Sequence, residues 1–177
     1  MLRGALMAFQ IRAVDTLNQL QIAELSDLLI ACVEAGASVS FMLPLPKAKA
    51  EAYWQEINTR LQQDERLVLI AETETGEILG SVQIVLSQPE NQPHRADLSK
   101  MLVHPKARRQ GIAAALLTAA EAGAKTQGKR LLVLDTANPE AERVYERGGW
   151  QRCGVVPDYA LWPTGGFCDT TFFYKKL

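Results

Sequence analysis

The sequence predicts an α/β protein built on a mixed β-sheet, and three observations indicate this class. Residues 66–72 and 78–86 are two apolar segments joined by a short turn, which predicts an antiparallel hairpin. Gly76 supplies the positive φ that such a turn needs. The apolar segment 98–103 is followed by helical spacing and then by the apolar run 131–135, which predicts a strand, helix, strand unit with parallel strands.

Composition indicates one globular domain, which we assign to residues 1–177, since 177 residues at 47% hydrophobic suffice for a sizeable core. The formal net charge of -1 leaves no general basic field, so we expect neither a nucleic-acid nor a membrane partner. The three cysteines are odd in number and widely spaced, which predicts no metal site and a reducing, cytoplasmic location. Met7 is an alternative start that would leave residues 1–6 as a disordered extension.

The N-terminal part predicts a strand, a helix, a loop and a second helix. Residues 9–14 alternate apolar and polar side chains, as a half-buried strand does. Asp15 is expected to cap a helix that runs to Gly36. Its apolar stripe comprises Leu17, Leu20, Leu25, Leu28, Leu29, Cys32 and Val33. Prolines interrupt segment 37–46, which predicts an apolar loop that either covers the core or forms a wall of a substrate pocket. Residues 47–63 predict an amphipathic helix.

The turn after strand 98–103 has the features of an anion site. The first N–H groups of a helix have no intrahelical partner, and the helix dipole favours negative charge there. Gly111 and Ala113 carry too little side chain to block a ligand, and Arg108 and Arg109 add two permanent charges. We interpret this turn as a cradle for pyrophosphate.

The C-terminal part predicts a short helix and two strands. Asn138 is the expected N-cap, Pro139 takes the first helical position, and the glycine pair 148–149 ends the helix. Residues 150–156 and 170–175 are the last two predicted strands, with a loop between them.

Two motifs resemble the GCN5-related N-acetyltransferase (GNAT) superfamily. Arg108-Arg109-Gln110-Gly111-Ile112-Ala113 is similar to its Arg/Gln-x-x-Gly-x-Gly/Ala turn. Asn138-x-x-Ala141-x-x-x-Tyr145-x-x-x-Gly149-Trp150 is similar to its second motif, with Trp in place of Phe. The element order also resembles the superfamily's acyl-CoA acyltransferase fold, which implies a central mixed sheet with helices on both faces. More narrowly, residues 36–42, 134–136, 156–159 and 173–177 resemble the tabtoxin-resistance acetyltransferase group.

The resemblance implies an N-acetyltransferase that uses acetyl-CoA and no metal, with direct attack of an amine in a ternary complex. It implies that the cofactor contacts Met101, Leu102, Val103, Arg108, Arg109, Gln110, Gly111, Ile112, Ala113, Ala114, Asn138 and Tyr145. Tyr145 is similar to the superfamily tyrosine that donates a hydrogen bond to the departing thiolate. Because the tabtoxin-resistance group acetylates the amine of a β-lactam amino-acid toxin, a small amino compound is the implied acceptor and toxin resistance the implied role.

Two carboxylates are candidates for the base of such a reaction. An ammonium group with a pKa of ~10.4 is about 3.4 units from neutrality at pH 7, which costs roughly 4.6 kcal/mol, so a positioned base matters. Asp97 lies in the strand before the cradle and Asp135 at the end of the next strand, and both can reach the cleft where parallel strands splay. Either carboxylate is expected to take a proton from the ammonium group, directly or through water, or else to hold that group by charge. The expected acceptor contacts are Phe41, Met42, Asp97, Asp135 and Tyr159.

Structural alternatives exist for both acids, and two other functions remain open. Asp97 could form a surface ion pair with Arg95 or Lys100, and Asp135 could serve a turn or cap. The other functions are a CoA-sensing module with weak turnover and a protein or peptide N-acetyltransferase. The apolar loops 37–46 and 157–167 favour a lidded pocket over the open groove that a protein acceptor needs. The assembly is expected to be a monomer, or a homodimer through the C-terminal strands.

Overall fold

The computed structural model describes residues 8–177, which form a seven-stranded sheet with four helices. The strands are β1 Gln10–Val14, β2 Arg66–Glu72, β3 Ile78–Val85, β4 Arg95–Val103, β5 Leu131–Thr136, β6 Gln151–Leu161 and β7 Phe167–Lys176. The helices are α1 Gln19–Glu34, α2 Lys47–Gln62, α3 Ile112–Thr126 and α4 Pro139–Arg147. Met7 and the expected extension over residues 1–6 lie outside the described residues. No helix within residues 8–177 combines the length and the apolar character needed to cross a membrane.

The strand order β1-β2-β3-β4-β5-β7-β6 makes the sheet mixed, as predicted. Among the described strands, β4 and β5 are the one parallel pair, and α3 forms the crossover between them. Their pairing runs only from Arg95–Leu131 to Asp97–Val133. The antiparallel pairing of β4 with β3 continues as far as Val103. From Leu98 onward the edge of β4 that faces β5 therefore has no strand partner, and a split opens in the sheet.

Helices cover both faces of the sheet, which confirms the fold class. Leu69 and Ala71 of β2 belong to the core beneath α3 and α4, whereas Val68 and Ile70 belong to the core beneath α1 and α2. This alternation is the two-residue period of a strand buried on both faces.

A β-bulge at Lys100 changes which face each residue of β4 presents. On β3 one residue separates Ser81 from Gln83, while on β4 two residues separate their partners Leu102 and Ser99. Lys100 takes up the extra residue with φ 51. An inserted residue reverses the strand's alternation. As a result Leu98 packs on the α3 side of the sheet, and Leu102 packs in the core on the α1 side.

Two predictions about α1 were wrong. Its N-cap is Asn18, not Asp15, because Asn18 and Gln21 form a capping box. The Asn18 Oδ1 accepts from the Gln21 N–H at 2.9 Å, and the Gln21 Oε1 accepts from the Asn18 N–H at 3.0 Å. Leu20, predicted to lie in the apolar stripe, is 78% exposed because it faces outward from the first turn.

The two C-terminal strands are longer than predicted. Much of the expected loop belongs to β6 and β7, which pair as a hairpin with a short turn around Gly165. Pro157 lies inside β6, and this is possible because β6 is the edge strand, where one side needs no ladder donor. The pairing is irregular between Val156 and Ala160, where Asp158 has φ 54.

Candidate functional site

Two cavities meet at the split between β4 and β5. The first, which we name the cradle cavity, has a volume of about 860 Å³ and lies between the end of β4, the start of α3 and one side of α4. The second, the loop cavity, has a volume of about 700 Å³ and lies between the segment at 36–42, the end of β5 and the β6–β7 hairpin. Both are lined by Ala37, Met101, Asn138 and Ala141, so they form one continuous cleft.

The start of α3 supplies free donors to the cradle cavity. The first intrahelical bond runs from the Ala115 N–H to the Gly111 carbonyl at 3.0 Å, so the N–H groups of Ile112, Ala113 and Ala114 precede the helical ladder. No side chain caps them, because the N-cap is Gly111 in the left-handed conformation with φ 82. A Cβ built on Gly111 meets nothing within 4 Å, so space is open where an anion would lie.

Positive charge surrounds these donors. The side chains of Arg108 and Arg109 line the cradle cavity and are exposed, and Arg109 has φ 63. Gln110, predicted to contact the cofactor, does not line the cavity. Arg143 and Arg147 of α4 line it and were missed by sequence reasoning. Their spacing of one helical turn, on a helix already predicted, was the signal available.

The end of β4 lines the cradle cavity through Met101, Leu102 and Val103, three of the residues that the resemblance implies contact the cofactor. Cys32 of α1 also lines this cavity, and its Sγ lies 3.5 Å from the Val103 carbonyl oxygen. Burial raises the pKa of the Cys32 thiol to about 11, although Arg108 opposes the shift. The thiol is therefore protonated near neutral pH, which does not suit a nucleophile.

Asn138 lies between the two cavities and caps α4, as predicted. Its Oδ1 accepts hydrogen bonds from the N–H of Glu140 at 2.8 Å and of Ala141 at 3.4 Å. The capping uses the amide oxygen and leaves the amide NH₂ as the donor that a bound molecule could use.

Aromatic and apolar residues wall the loop cavity. Phe41, Met42 and Tyr159, the predicted acceptor contacts, all line it. The ring of Phe41 packs edge-on against Tyr53 at a centroid distance of 5.2 Å, and Tyr159 packs similarly on Phe172 at 5.7 Å. These contacts hold the two walls on helix α2 and strand β7.

Hydrogen bonds join the loop 37–46 to the β6–β7 hairpin. The Leu43 N–H donates to the Pro163 carbonyl at 2.9 Å, and the Ser38 hydroxyl donates to the Leu161 carbonyl at 3.2 Å. These two bonds connect the two walls of the loop cavity, and this connection favours a lidded pocket over an open groove.

Asp135 and Tyr145 meet in the loop cavity, which both of them line. The Asp135 carboxylate accepts a hydrogen bond from the Thr170 hydroxyl at 2.7 Å. Tyr145 is 4% exposed and packs on Trp150 and Phe173. Burial raises the pKa of the Tyr145 phenol, and the nearby Asp135 charge raises it further. Tyr145 therefore stays a hydrogen-bond donor at working pH and cannot serve as the base.

Asp97 is not brought together with these residues. It lines neither cavity, forms an ion pair with Arg95 and accepts a hydrogen bond from the Gln88 Nε2 at 3.0 Å. Its partner across the sheet is Val133, in the last parallel pair before the strands separate. The surface ion pair weighed as an alternative is what the structure contains, so we assign Asp97 no part in the chemistry.

Lys100 also lines the loop cavity. The sequence indicated it only as an ion-pair partner for Asp97, so this position was not predicted. Its ammonium group donates a hydrogen bond to the Ser40 hydroxyl at 3.0 Å. Burial lowers the pKa of Lys100, Arg66 lowers it further, and the Asp135 carboxylate opposes both. The available signal was a lysine within an otherwise apolar strand segment. Within residues 8–177, no three His, Cys, Asp or Glu side chains form a group that could hold a metal ion.

Comparisons with known proteins agree with this geometry. Residues 33–150 match the model of the acetyltransferase (GNAT) family. An uncharacterised N-acetyltransferase from the hisH-hisA intergenic region of Azospirillum brasilense is 32% identical over 167 residues, which cover 90% of this chain and 95% of the relative.

Solved structures share the fold. An N-acetyltransferase from Staphylococcus aureus Mu50 has a TM-score of 0.78 at 19% identity, covering 96% of this chain and 98% of that one. A GNAT superfamily phosphinothricin acetyltransferase from Sinorhizobium meliloti was solved in complex with acetyl-CoA. It has a TM-score of 0.77 at 19% identity, and the match covers 97% of this chain and 89% of that one.

Proposed function

This chain belongs to the acetyltransferase (GNAT) family of N-acetyltransferases, and from that premise we propose that it transfers the acetyl group of acetyl-CoA to the amine of a small molecule. The observation that carries the proposal is the continuous cleft through the β4–β5 split. One side presents uncapped helix donors and arginines, and the other presents a carboxylate in a lidded pocket. A thioester placed in the split would have the anionic nucleotide on the first side and the amine on the second.

The cradle cavity supports the cofactor part of the proposal. The N–H groups of Ile112, Ala113 and Ala114 would bind the pyrophosphate together with Arg108 and Arg109. The unpaired edge of β4 at Met101, Leu102 and Val103 would pair with the amides of the pantetheine arm, as a missing strand would. The amide NH₂ of Asn138 would contact the same arm. Acetyl-CoA supplies the activated acyl group, and no metal is proposed.

The chemical step is direct attack of the amine on the thioester carbonyl. The ammonium form of the acceptor first loses a proton to Asp135, directly or through one water. The N–C bond then forms and the C–S bond breaks, so that the sulfur leaves as a thiolate, which takes up the second proton released from the nitrogen. Tyr145 donates a hydrogen bond that stabilises this thiolate, because its phenol stays protonated. No covalent enzyme intermediate is involved, consistent with the protonated thiol of Cys32.

We further propose that the acceptor is an amino-acid-like compound, amino-acid toxins included, bound among Phe41, Met42, Asp135 and Tyr159. The lidded pocket supports a small acceptor over a protein tail, and the resemblance to the tabtoxin-resistance group supports the amino-acid type. We place the reaction in the cytoplasm, because the three cysteines within the described residues are free thiols, as a reducing compartment keeps them.

The experiment that tests this function measures the free thiol released from acetyl-CoA by the purified protein. The acceptor panel contains amino acids, β-lactam amino-acid toxins, aminoglycosides, polyamines and peptides. Turnover of a small amine that Asp135→Asn loses, with acetyl-CoA affinity unchanged, supports the proposal. Tight acetyl-CoA binding without turnover of any acceptor, even at raised pH, would favour a CoA-sensing module, and turnover of peptides alone would favour a protein acetyltransferase. Absence of acetyl-CoA binding would remove the cradle assignment itself.

A further inference from the structure

We propose that Lys100 binds the carboxylate of an α-amino acid acceptor whose ammonium group lies at Asp135, so that the enzyme selects zwitterionic amino compounds over simple amines. The inference rests on the proposed acetyl transfer and specifies its substrate class. It follows from the position, the partners and the surroundings of these two charged groups.

Lys100 is held in a conformation that its residue type does not favour. Its φ of 51 lies in the left-handed region, where a side chain with a Cβ is strained and glycine or asparagine is preferred. It occupies the β-bulge of β4, beside the split where the two cavities meet. Strained backbone of this kind concentrates at functional sites. The strained backbone supports a functional role for the lysine side chain in the cavity.

The ammonium group of Lys100 has no counter-ion in the described part of the chain. Its hydrogen bond goes to the neutral hydroxyl of Ser40 at 3.0 Å, and it belongs to none of the ion pairs formed between residues 8 and 177. Burial makes its charged form more costly than in water. A half-buried cation without a carboxylate partner favours an anionic ligand.

Arg66 strengthens the positive end of the pocket. Its charge acts on the lysine, and its Nε is buried with no hydrogen-bond partner among residues 8–177. The Arg66 Nη1 donates to the Gln83 Oε1 at 2.8 Å, and Gln83 donates to the Tyr53 hydroxyl at 3.0 Å. Glu56 and Glu65 also act on the Arg66 charge, but neither forms an ion pair with it within residues 8–177, so the guanidinium still adds to the positive potential at Lys100.

The negative end lies at Asp135. Its carboxylate accepts from the Thr170 hydroxyl and, like Lys100, belongs to no ion pair within the described chain. The charges of Lys100 and Asp135 act on one another, yet the two groups do not form a salt bridge. One cavity therefore presents two opposite, separated charges, each held by a hydroxyl. A molecule that carries an ammonium and a carboxylate on one carbon complements both charges.

The same arrangement acts against other amines. A polyamine or an aminoglycoside brings several positive charges toward Lys100 and Arg66, which repel them. A primary amine without a carboxylate leaves the lysine unpaired on closing the pocket, and an amino-acid amide offers it a neutral carbonyl instead of a charge.

The test compares L-amino acids with their carboxamides and with their decarboxylated amines as acceptors, using thiol release at saturating acetyl-CoA. The variants are Lys100→Met, Lys100→Gln as a second neutral form, Lys100→Arg, and Lys49→Met on the exposed surface of α2 as a matched control. The wild type is expected to prefer an amino acid over its amine. Both neutral variants should lower kcat/KM for the amino acid by about 10- to 100-fold, mainly through KM, because a charged hydrogen bond is lost.

The same neutral variants should not lower kcat/KM for the decarboxylated amine and should raise it where the unpaired lysine opposed binding, Lys100→Arg should retain most of the preference for the amino acid, and Lys49→Met should behave as wild type. Equal turnover of amines and amino acids by the wild type, or an equal loss on both in Lys100→Met, would overturn the proposal for Lys100 and leave acetyl transfer standing. If the wild type acetylates none of these acceptors, calorimetric titration of the CoA-bound protein with the same amino acids tests the carboxylate site directly. Binding that Lys100→Met abolishes supports the carboxylate site, and absence of binding to the wild type overturns it.

Discussion

The Thr170 hydroxyl donates a hydrogen bond to the Asp135 carboxylate at 2.7 Å across the neighbouring strands β7 and β5. This bond directs the carboxylate toward the loop cavity. We expect Asp135→Asn to lower kcat/KM for the amine by about 10²- to 10⁴-fold, because the base is lost. The acetyl-CoA dissociation constant should not change. The defect should shrink toward pH 10, where solvent supplies the neutral amine, so a defect constant across pH would contradict a proton-transfer role.

Thr170 acts as a positioning residue in this scheme. Thr170→Val removes the donor with little change in shape, and we expect kcat to fall several-fold while KM for acetyl-CoA stays the same. Thr170→Ser keeps a hydroxyl and should recover most of the rate. A valine variant with wild-type kcat, measured beside a correctly folded serine variant, would show that Asp135 needs no orienting bond.

Tyr145→Phe removes the donor to the thiolate. We expect kcat to fall by about 10- to 100-fold, with acetyl-CoA affinity preserved since the ring still packs on Trp150 and Phe173. Burial and Asp135 raise the pKa of Tyr145 above the usual value, so the phenol stays protonated as the pH rises through that value. The wild-type rate should therefore show no alkaline decline up to pH 10 from this residue. Such a decline that is present in the wild type and absent from Tyr145→Phe would contradict the shift.

Arg108→Ala and Arg109→Ala test the cradle. Each should weaken acetyl-CoA binding by about 3- to 10-fold, since both guanidinium groups are exposed and screened by solvent. The loss should diminish as the salt concentration rises. Arg130→Ala, an exposed arginine outside both cavities, is the matched control in the same titration calorimetry. Equal effects of all three variants would indicate a general charge effect.

Cys32 should react slowly with alkylating reagents. With a pKa of about 11, only about one thiol in a thousand is ionised at pH 8. Cys153 is exposed, so we expect it to be modified first in a timed iodoacetamide reaction followed by peptide mass spectrometry. Because Cys32 lines the cradle cavity, acetyl-CoA should slow its modification further and leave Cys153 unaffected. Faster labelling of Cys32 than of Cys153 would contradict its burial.

Gly80 of β3 should not tolerate a side chain. A Cβ there would lie 2.8 Å from the Leu102 carbonyl oxygen and 3.0 Å from Ile112 Cγ2, and the first contact is backbone that cannot turn away. We expect Gly80→Ala to lower the free energy of unfolding by about 1 to 3 kcal/mol in urea titrations. Gly123→Ala is the matched control, because its nearest contact is the flexible Leu67 side chain at 3.3 Å and alanine favours helix. A destabilised control would show that the glycines of α3 also serve packing.

The sequence by itself determined the features that depend on nearby residues. The hairpin around Gly76, the amphipathic α2 and the cap at Asn138 were predicted correctly, because turn chemistry, helical period and capping act over a few positions. The uncapped start of α3 was also recognisable from Gly111 and its arginine neighbours.

Only the tertiary structure decided which acid lies in the cleft. Asp97 lies near the start of β4 and Asp135 near the end of β5, and the sequence alone offered both as candidates for the cleft. Register and bulges are set by pairing between distant segments, and these place Asp97 before the split and Asp135 beyond it. The same long-range pairing created the bulge that turns Lys100 into the loop cavity and put Pro157 on an edge strand. The residues of one strand do not determine where its pairing with a distant strand ends. The acceptor side of the site could therefore be identified only from the tertiary structure.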